Sequence, residues 1–373
     1  MSFERVAIDE LALNLNPLQT GGRASAAARK AAARFSDGYS VCDRCAGVLH
    51  DIEKPDIKCF AVELAEFVGM DRAAVTMGAR EGKFAIFHTL SEPGRGAVLD
   101  ANAHYSTYVA AQRAGLEVFK STNTGDPDFR VTPDSFAETL EYCKSKTGKP
   151  AAAALLTHVD GDYGNLNDAA EFSKICKDAG VPLILNCAYS AGRMPVDGRA
   201  LGVDFMVGSG HKSFAASGPV GFMGANGEWT ERLFRTSLTH PNKNIELLGC
   251  TARGANVVSF MAALPGVKER VKRWDAEVAK AVRFVEAMES LGEIRQVGEK
   301  PKRHDLIRFE TPLFHRIAEN SRKRGYFLHS ALADRGITGL KPGQTRWFKM
   351  STFGFTDEQI DYLIEAFKEI ARM

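Results

Sequence analysis

Short apolar runs that stop at glycine or a polar residue alternate along this chain with stretches whose apolar positions recur every three to four residues. Residues 24–35 (ASAAARKAAARF) are predicted helical from their alanine content, and residues 59–69 (CFAVELAEFVG) form an amphipathic helix pattern. AVLDAN reads as a short strand, and HYSTYVAAQRAGLEVFKS as helix, glycine turn and strand. Residues 151–157 (AAAALLT) read as a buried strand and 168–179 (DAAEFSKICKDA) as a helix. GVPLILNCAYSAG is a strand ending at Asn186, and GVDFMVGSGHK is the next; residues 260–290 read as one long helix.

This βα rhythm predicts an α/β fold with a mostly parallel sheet between helices. In such sheets ligands sit at the carboxyl ends of the strands. Asn186 and Lys212 both fall just after strand ends, so both can face one site. The pattern divides the chain into a large unit, residues 1–245, and a smaller C-terminal α+β unit, residues 246–373.

Composition narrows the class. Hydrophobic residues are 45% and charged residues 25%, ordinary for a globular protein, and no apolar run reaches the ~18 residues of a membrane span. The N-terminal MSFERVAIDELALNLNP lacks a signal-peptide core, which points to the cytoplasm. Seven cysteines, an odd number, argue against a disulfide framework. The net charge of +2 decides nothing, but residues 301–350 hold eleven Lys and Arg against Asp305, Glu310, Glu319 and Asp334. That stretch suits either nucleic-acid phosphates or a solvated basic face.

The chemistry centres on DFMVGSGHKSFAASGPVGFMG, residues 204–224. GSGHKS has neither the third glycine of a dinucleotide loop nor Walker spacing. What remains is a lysine, flanked by His211 and Ser209, at a ligand-binding sheet edge. It is either a solvated surface lysine or an amine suited to a Schiff base with an aldehyde cofactor.

VDFMVGSGHKSFAASGPVG resembles the lysine segment of fold-type-I pyridoxal-phosphate enzymes of the cysteine desulfurase and selenocysteine lyase group. Together with LNPLQTGG, SVCDRC, THVDGDYGNL, LNCAYSAGRMPVD and PNKNIELLGCTARG, it is similar to the archaeal O-phosphoseryl-tRNA:cysteinyl-tRNA synthase family, from about residue 13 to the C-terminus. The resemblance implies a large domain with a seven-stranded sheet and a transferase that replaces the phosphate of phosphoseryl-tRNA(Cys) with sulfur. It implies pyridoxal 5'-phosphate as cofactor, with Lys212 holding it and then acting as base. Gly78, Ala79, Arg80, Ser209 and His211 would take the cofactor phosphate, and His104 would stack on the ring. Asn186 stands where the fold class has an aspartate against the pyridine nitrogen. Arg80, His104, Tyr105, Lys243 and Arg253 would receive the serine phosphate, Lys243 and Arg253 from the other subunit of a homodimer. The partners implied are tRNA(Cys) carrying O-phosphoserine and the phosphoseryl-tRNA synthetase, with no membrane.

Cys42-Asp-Arg-Cys45 is a CxxC beside a positive charge that favours the thiolate, with no second CxxC or His pair at zinc spacing. By resemblance Cys42, Cys45 and Cys250 meet at the active site and carry persulfide sulfur, or hold an iron-sulfur cluster. Cys59, Cys143, Cys176 and Cys187 read as small buried apolar groups. Two rivals stand beside this reading. A cysteine desulfurase or selenocysteine lyase needs a mobile C-terminal cysteine, yet none follows Cys250. A non-catalytic iron-sulfur or tRNA-binding adaptor would leave Lys212 without purpose.

Overall fold

A computed structural model describes residues 12–20, 23–36, 55–241, 243–247 and 254–373. In chain order the strands are β1 (Leu13–Asn14), β2 (Arg72–Thr76), β3 (Gly96–Leu99), β4 (Glu117–Lys120), β5 (Ala153–Thr157), β6 (Leu183–Asn186), β7 (Phe205–Ser209), β8 (Gly221–Ala225), β9 (Arg295–Val297), β10 (Leu306–Glu310), β11 (Ile337–Thr338) and β12 (Trp347–Ser351).

β2 to β8 make a seven-stranded sheet in the order β2-β8-β7-β6-β5-β3-β4. All its pairings are parallel except those of β8, which runs antiparallel to both β2 and β7. The central strands AALLT, LILN and FMVGS are buried along their whole length because helices cover both faces. Alternation sorts their side chains. Leu155, Ile184 and Val207 join Ile86 and Phe87 of the helix Ala79–Leu90 in one layer. Leu156, Leu185 and Met206 join Phe60, Phe136 and Phe172 in the other. The pairing Thr157↔Asn186 and Asn186↔Val207 aligns the carboxyl ends of β5, β6 and β7.

The C-terminal part is a three-stranded antiparallel sheet, β12-β10-β9, packed on the helices Trp274–Glu289 and Asp357–Ala371. The helix expected over 260–290 is two helices, Ala255–Arg270 and Trp274–Glu289, joined by a 3-10 turn at Val271–Arg273. Val267 and Val271 belong to the core under the large sheet, whereas Ala281 and Phe284 belong to the C-terminal core. The turn re-phases the apolar stripe from one core to the other. Leu13 and Leu15 pack into the C-terminal core, and β1 pairs with β11 in parallel. Residues 13–15 thus sit with the C-terminal part, whereas Phe35, after the helix Ala26–Arg34, packs against the core under the large sheet.

Candidate functional site

The carboxyl ends of β2, β6 and β7 and the entry of β8 enclose a backbone-lined niche. Gly78 precedes the helix Ala79–Leu90 with φ +114°, a conformation that glycine adopts freely. A Cβ on Gly78 would lie 3.5 Å from His211 Cε1, and a Cβ on Gly221 would lie 2.7 Å from the Gly78 Cα and 2.4 Å from the Gly208 oxygen. The backbone leaves no room for a side chain at Gly221, and the His211 imidazole stands at van der Waals distance from a Cβ at Gly78. The first amides of the helix have no carbonyl partner within it and present partial positive charge. Thr76 Oγ1 donates to the Gly78 carbonyl at 3.0 Å, and the Met77 amide donates to Glu81 Oε2 at 2.5 Å, which pins the turn. Ser209 Oγ is 3.4 Å from the His211 ring, and His211 Nδ1 is 3.0 Å from the Val220 carbonyl oxygen.

Lys212 follows one turn beyond β7. It is half-buried, with Nζ 4.5 Å from the centre of the Tyr189 ring. Burial, together with the charges of Arg193 and Lys349, pushes its amine down to about 8. Arg193 is wholly buried in an ion pair with Asp305. Lys349 on β12 donates to the Gly161 carbonyl at 2.8 Å and to Asp162 Oδ1 at 3.0 Å, so the C-terminal sheet reaches the loop beside the site.

On the other side, His104 caps the helix Tyr105–Arg113, and its ring lies 4.4 Å from that of Tyr105. The Arg80 guanidinium lies 6.0 Å from the same Tyr105 ring. Behind His104, Lys83 is buried, with Nζ donating to Ser106 Oγ at 2.7 Å and to Thr107 Oγ1 at 3.2 Å. Burial and the neighbouring Lys212 push Lys83 down to about 7. Burial, then Lys83 and Lys212, push His104 down to about 4, so its imidazole is neutral. Asp100, buried at the end of β3, receives the Thr157 and Asn102 amides, and burial raises it to about 6. Asn186 is buried and takes the Ala188 amide on Oδ1 at 3.3 Å.

The sequence model of the family described as O-phosphoseryl-tRNA(Sec) selenium transferase, SepSecS, matches residues 57–372. The chain belongs to that family. It is 52% identical over 358 residues to the O-phospho-L-seryl-tRNA:Cys-tRNA synthase of Methanothermobacter thermautotrophicus, covering 96% of this chain and 94% of that protein. It is 50% identical to the protein of the same name from Methanopyrus kandleri, with the same coverage of both chains. The solved structure of a SepCysS-SepCysE N-terminal domain complex superposes with a TM-score of 0.91 at 45% identity, covering 98% of this chain and 96% of that one. A cysteine desulfurase from Thermococcus onnurineus NA1 superposes with a TM-score of 0.76 at 17% identity, covering 97% of this chain and 95% of that one; this shares the fold alone. The fold is the fold-type-I architecture expected from the lysine segment.

Of the residues that the family resemblance assigns, the structure brings Gly78, Ala79, Arg80, Ser209, His211 and Lys212 to one end of the sheet, with His104, Tyr105 and Asn186 around them. Lys243 lies in a turn where its amide donates to the His240 carbonyl and its carbonyl accepts from the Ser237 amide. Cys42, Cys45, Cys250 and Arg253 lie outside the described residues. Among the described residues no group of three or more His, Cys, Asp or Glu side chains is placed to hold a metal ion, and no helix is long and apolar enough to cross a membrane. Cys143, Cys176 and Cys187 are buried as expected, but Cys59 is exposed: its position on Ile57–Phe67 falls between the buried Ile57 and Phe60 stripe and the solvent.

The basic stretch 301–350 divides in two. Lys302 is buried and donates to the Tyr163 and Gly164 carbonyls; Arg303 pairs with Glu299 and Lys349 with Asp162. These side chains tie the C-terminal sheet to the loop 161–166. Arg322, Lys323, Arg324, Lys341 and Arg346 are exposed, and the two loops that carry them are joined by the Gly343 amide donating to the Gly325 carbonyl at 2.9 Å. Sequence reasoning missed Lys83, Asp100, Tyr189, Arg193 and Lys349. The only signal for Lys83 is a charge on the apolar side of its helix: it stands four residues after Ala79 and three before Ile86.

Proposed function

We propose that this protein replaces the phosphate of O-phosphoseryl-tRNA(Cys) with sulfur, giving cysteinyl-tRNA(Cys), with pyridoxal 5'-phosphate as cofactor and two copies of the chain forming the working unit. The observation that carries the reading is the company around Lys212: Lys83, Arg80, Arg193 and Lys349 all bear on the site, and two of the five cations, Lys83 and Arg193, are fully buried. Arg193 is paired with Asp305 and Lys349 with Asp162, whereas Lys212, Lys83 and Arg80 form no ion pair among the described residues, and an anionic ligand would offset their charge. The substrate supplies a serine phosphate and the cofactor a second phosphate.

The niche fits the cofactor. Its donors are helix-start amides, a serine hydroxyl and an imidazole, a set suited to a phosphate group, and the amine beside it is the chain's half-buried strand-end lysine. Gly78, Ala79, Arg80, Ser209 and His211 would hold the phosphate, His104 and Asn186 the ring, and Lys212 the aldehyde. When bound, the cofactor supplies a carbonyl that condenses with amines and a conjugated ring that takes up electron density.

The remaining work falls to the chain. Lys212, with its amine near 8, is deprotonated readily and takes the proton from the substrate α-carbon. Arg80 and Tyr105 receive the serine phosphate, joined by Lys243 and Arg253 of the second copy. In the net reaction the Cβ–O bond breaks, a Cβ–S bond forms, and hydrogen sulfide plus the phosphoseryl group give the cysteinyl group plus inorganic phosphate. Where a persulfide donor takes the place of sulfide, one of Cys42, Cys45 and Cys250 accepts its outer sulfur as a cysteine persulfide and the donor leaves as a thiol. After transfer to Cβ a second thiol of the three resolves the mixed disulfide, and an external thiol reductant restores the pair. The same three thiols are the ligands for the iron-sulfur cluster implied by the family resemblance. The exposed Arg322, Lys323, Arg324, Lys341 and Arg346, with Tyr326 exposed among them, meet the tRNA backbone.

The test is phosphate release and cysteinyl-tRNA formation from O-phosphoseryl-tRNA(Cys) and sulfide, run beside sulfur release from free cysteine. Turnover of the tRNA substrate is expected. Sulfur release from free cysteine without conversion of the tRNA would make the protein a desulfurase.

A further inference from the structure

Beyond adding to the positive charge of the site, Lys83 takes no step in the chemistry above, yet its position is costly. It is 2% exposed, sits on the helix that opens the phosphate niche, and forms no ion pair among the described residues. Its Nζ is held by two hydroxyls, Ser106 Oγ at 2.7 Å and Thr107 Oγ1 at 3.2 Å. Ser106 Oγ in turn lies 2.8 Å from His104 Nδ1, and the Ser106 amide approaches the same nitrogen at 3.3 Å.

The Ser106 amide can only donate, and it meets His104 Nδ1. Below about pH 7 the Lys83 amine is an ammonium that also only donates, so Ser106 Oγ accepts from it. The single Ser106 hydroxyl proton is then directed at the same Nδ1. Nδ1 is therefore an acceptor, and the one ring proton of the neutral imidazole sits on Nε2.

We propose that Lys83 is a positioning residue that acts through Ser106 to lock His104 as the neutral Nε2–H tautomer, so that His104 serves the site as a fixed hydrogen-bond donor and not as a titrating acid. The proposal rests on the functional reading only for what the donor serves; the lock itself is a property of this chain. Charges facing His104 from other elements act on it as well. Lys212 after β7 and Lys349 on β12 disfavour its protonation, and Asp162 favours it. The test must separate this field from the hydrogen-bond relay.

The measurement is NMR of the cofactor-loaded protein labelled at histidine nitrogens, with His104 assigned by His104→Gln, titrated from pH 8 to pH 5. The wild type is expected to hold the Nε2–H tautomer throughout. Lys83→Met removes the amine that donates to Ser106 Oγ and leaves that hydroxyl free to accept from Nδ1–H, with the Ser106 amide as the remaining donor to Nδ1. The His104 titration should then move up by at least one pH unit. Lys83→Gln, whose amide also accepts, gives the same release should the methionine variant fail to fold. The decisive variant is Lys83→Met with Ser106→Ala, which keeps the loss of charge and removes the acceptor; it should give back at least half of the rise. An unchanged titration in Lys83→Met, or a full rise that persists in the double variant, overturns the relay. Failure of the tRNA assay would leave this result standing, because the NMR readout needs no turnover.

Discussion

Replacing Arg193 by methionine tests how the two parts of the fold are joined behind the site. The Arg193 side chain is wholly buried and paired with Asp305, also wholly buried. It donates to Ser351 Oγ at 3.2 Å and to the Pro17 carbonyl at 2.7 Å, and lies 4.9 Å from the Phe353 ring. One guanidinium thus links the large-sheet side, the C-terminal sheet and the N-terminal segment. Methionine fills much of the volume but leaves Asp305 as an uncompensated buried charge, which costs about 3–5 kcal/mol. The lost bond to Pro17 adds roughly 1 kcal/mol. Against a total stability of about 5–15 kcal/mol, that is a large fraction. The sign with pH is definite. Burial raises the Asp305 carboxyl, but Arg193, His304 and Ser351 outweigh it and hold the group below its ordinary value. In the wild type this stability is present above the unfolded carboxylate value and is lost as pH falls through the folded one. Without Arg193 burial prevails, the carboxyl moves up, and the deficit should shrink as pH is lowered from 7 to 5. Urea unfolding followed by tryptophan fluorescence suits the question, because Trp274 packs 5.1 Å from His304, the neighbour of Asp305. The double variant Arg193→Met, Asp305→Leu should recover most of the loss. A single-variant deficit under about 1 kcal/mol, or a double variant as unstable as the single, would refute the reasoning.

Three further outcomes are expected. Because the Lys212 amine lies near 8, the rate at which cofactor-free protein takes up pyridoxal phosphate should rise with pH through about 8 and level off above; Lys349→Met should move that midpoint upward, and an unmoved midpoint means that Lys349 does not act on Lys212. Gly221→Ala places a Cβ 2.4 Å from the Gly208 oxygen and 2.7 Å from the Gly78 Cα. Overpacking of about 1–3 kcal/mol should weaken cofactor binding roughly tenfold or more, read by equilibrium dialysis, and wild-type affinity would show that the niche is not the phosphate site. Substituting any of Cys42, Cys45 or Cys250 should stop cysteinyl-tRNA formation from a limiting persulfide donor while phosphate release continues. Full cysteine formation by the triple variant would return these residues to a structural role.

The central strands β5, β6 and β7 of the large sheet are legible in the chain because each is buried on both faces. Burial there demands uninterrupted apolar runs, and AALLT, LILN and FMVGS stand out against any loop. Their ends at Asn186 and Ser209 point to the carboxyl edge as the ligand-binding side, and the family resemblance of the lysine segment singles out Lys212 there. Two other classes of residue were not legible. Lys83 reads along its helix as an ordinary charge, and becomes a buried cation only when the helix Tyr105–Arg113 is laid across it. Arg193 meets its partner Asp305 across 112 positions, and Lys349 reaches Gly161 across 188. Local periodicity records which face of an element is apolar, but not which distant element covers it. The pairing of Leu13 with Ile337 and the break at Val271–Arg273 have the same cause. The amino-acid pattern determined the central strands of the sheet, its carboxyl edge and the lysine that stands beside it. The charge that surrounds that lysine was decided by tertiary packing, because an ionised group is perturbed by what desolvates it and by which charges stand within a few ångströms, and both are set by contacts between segments far apart in the chain.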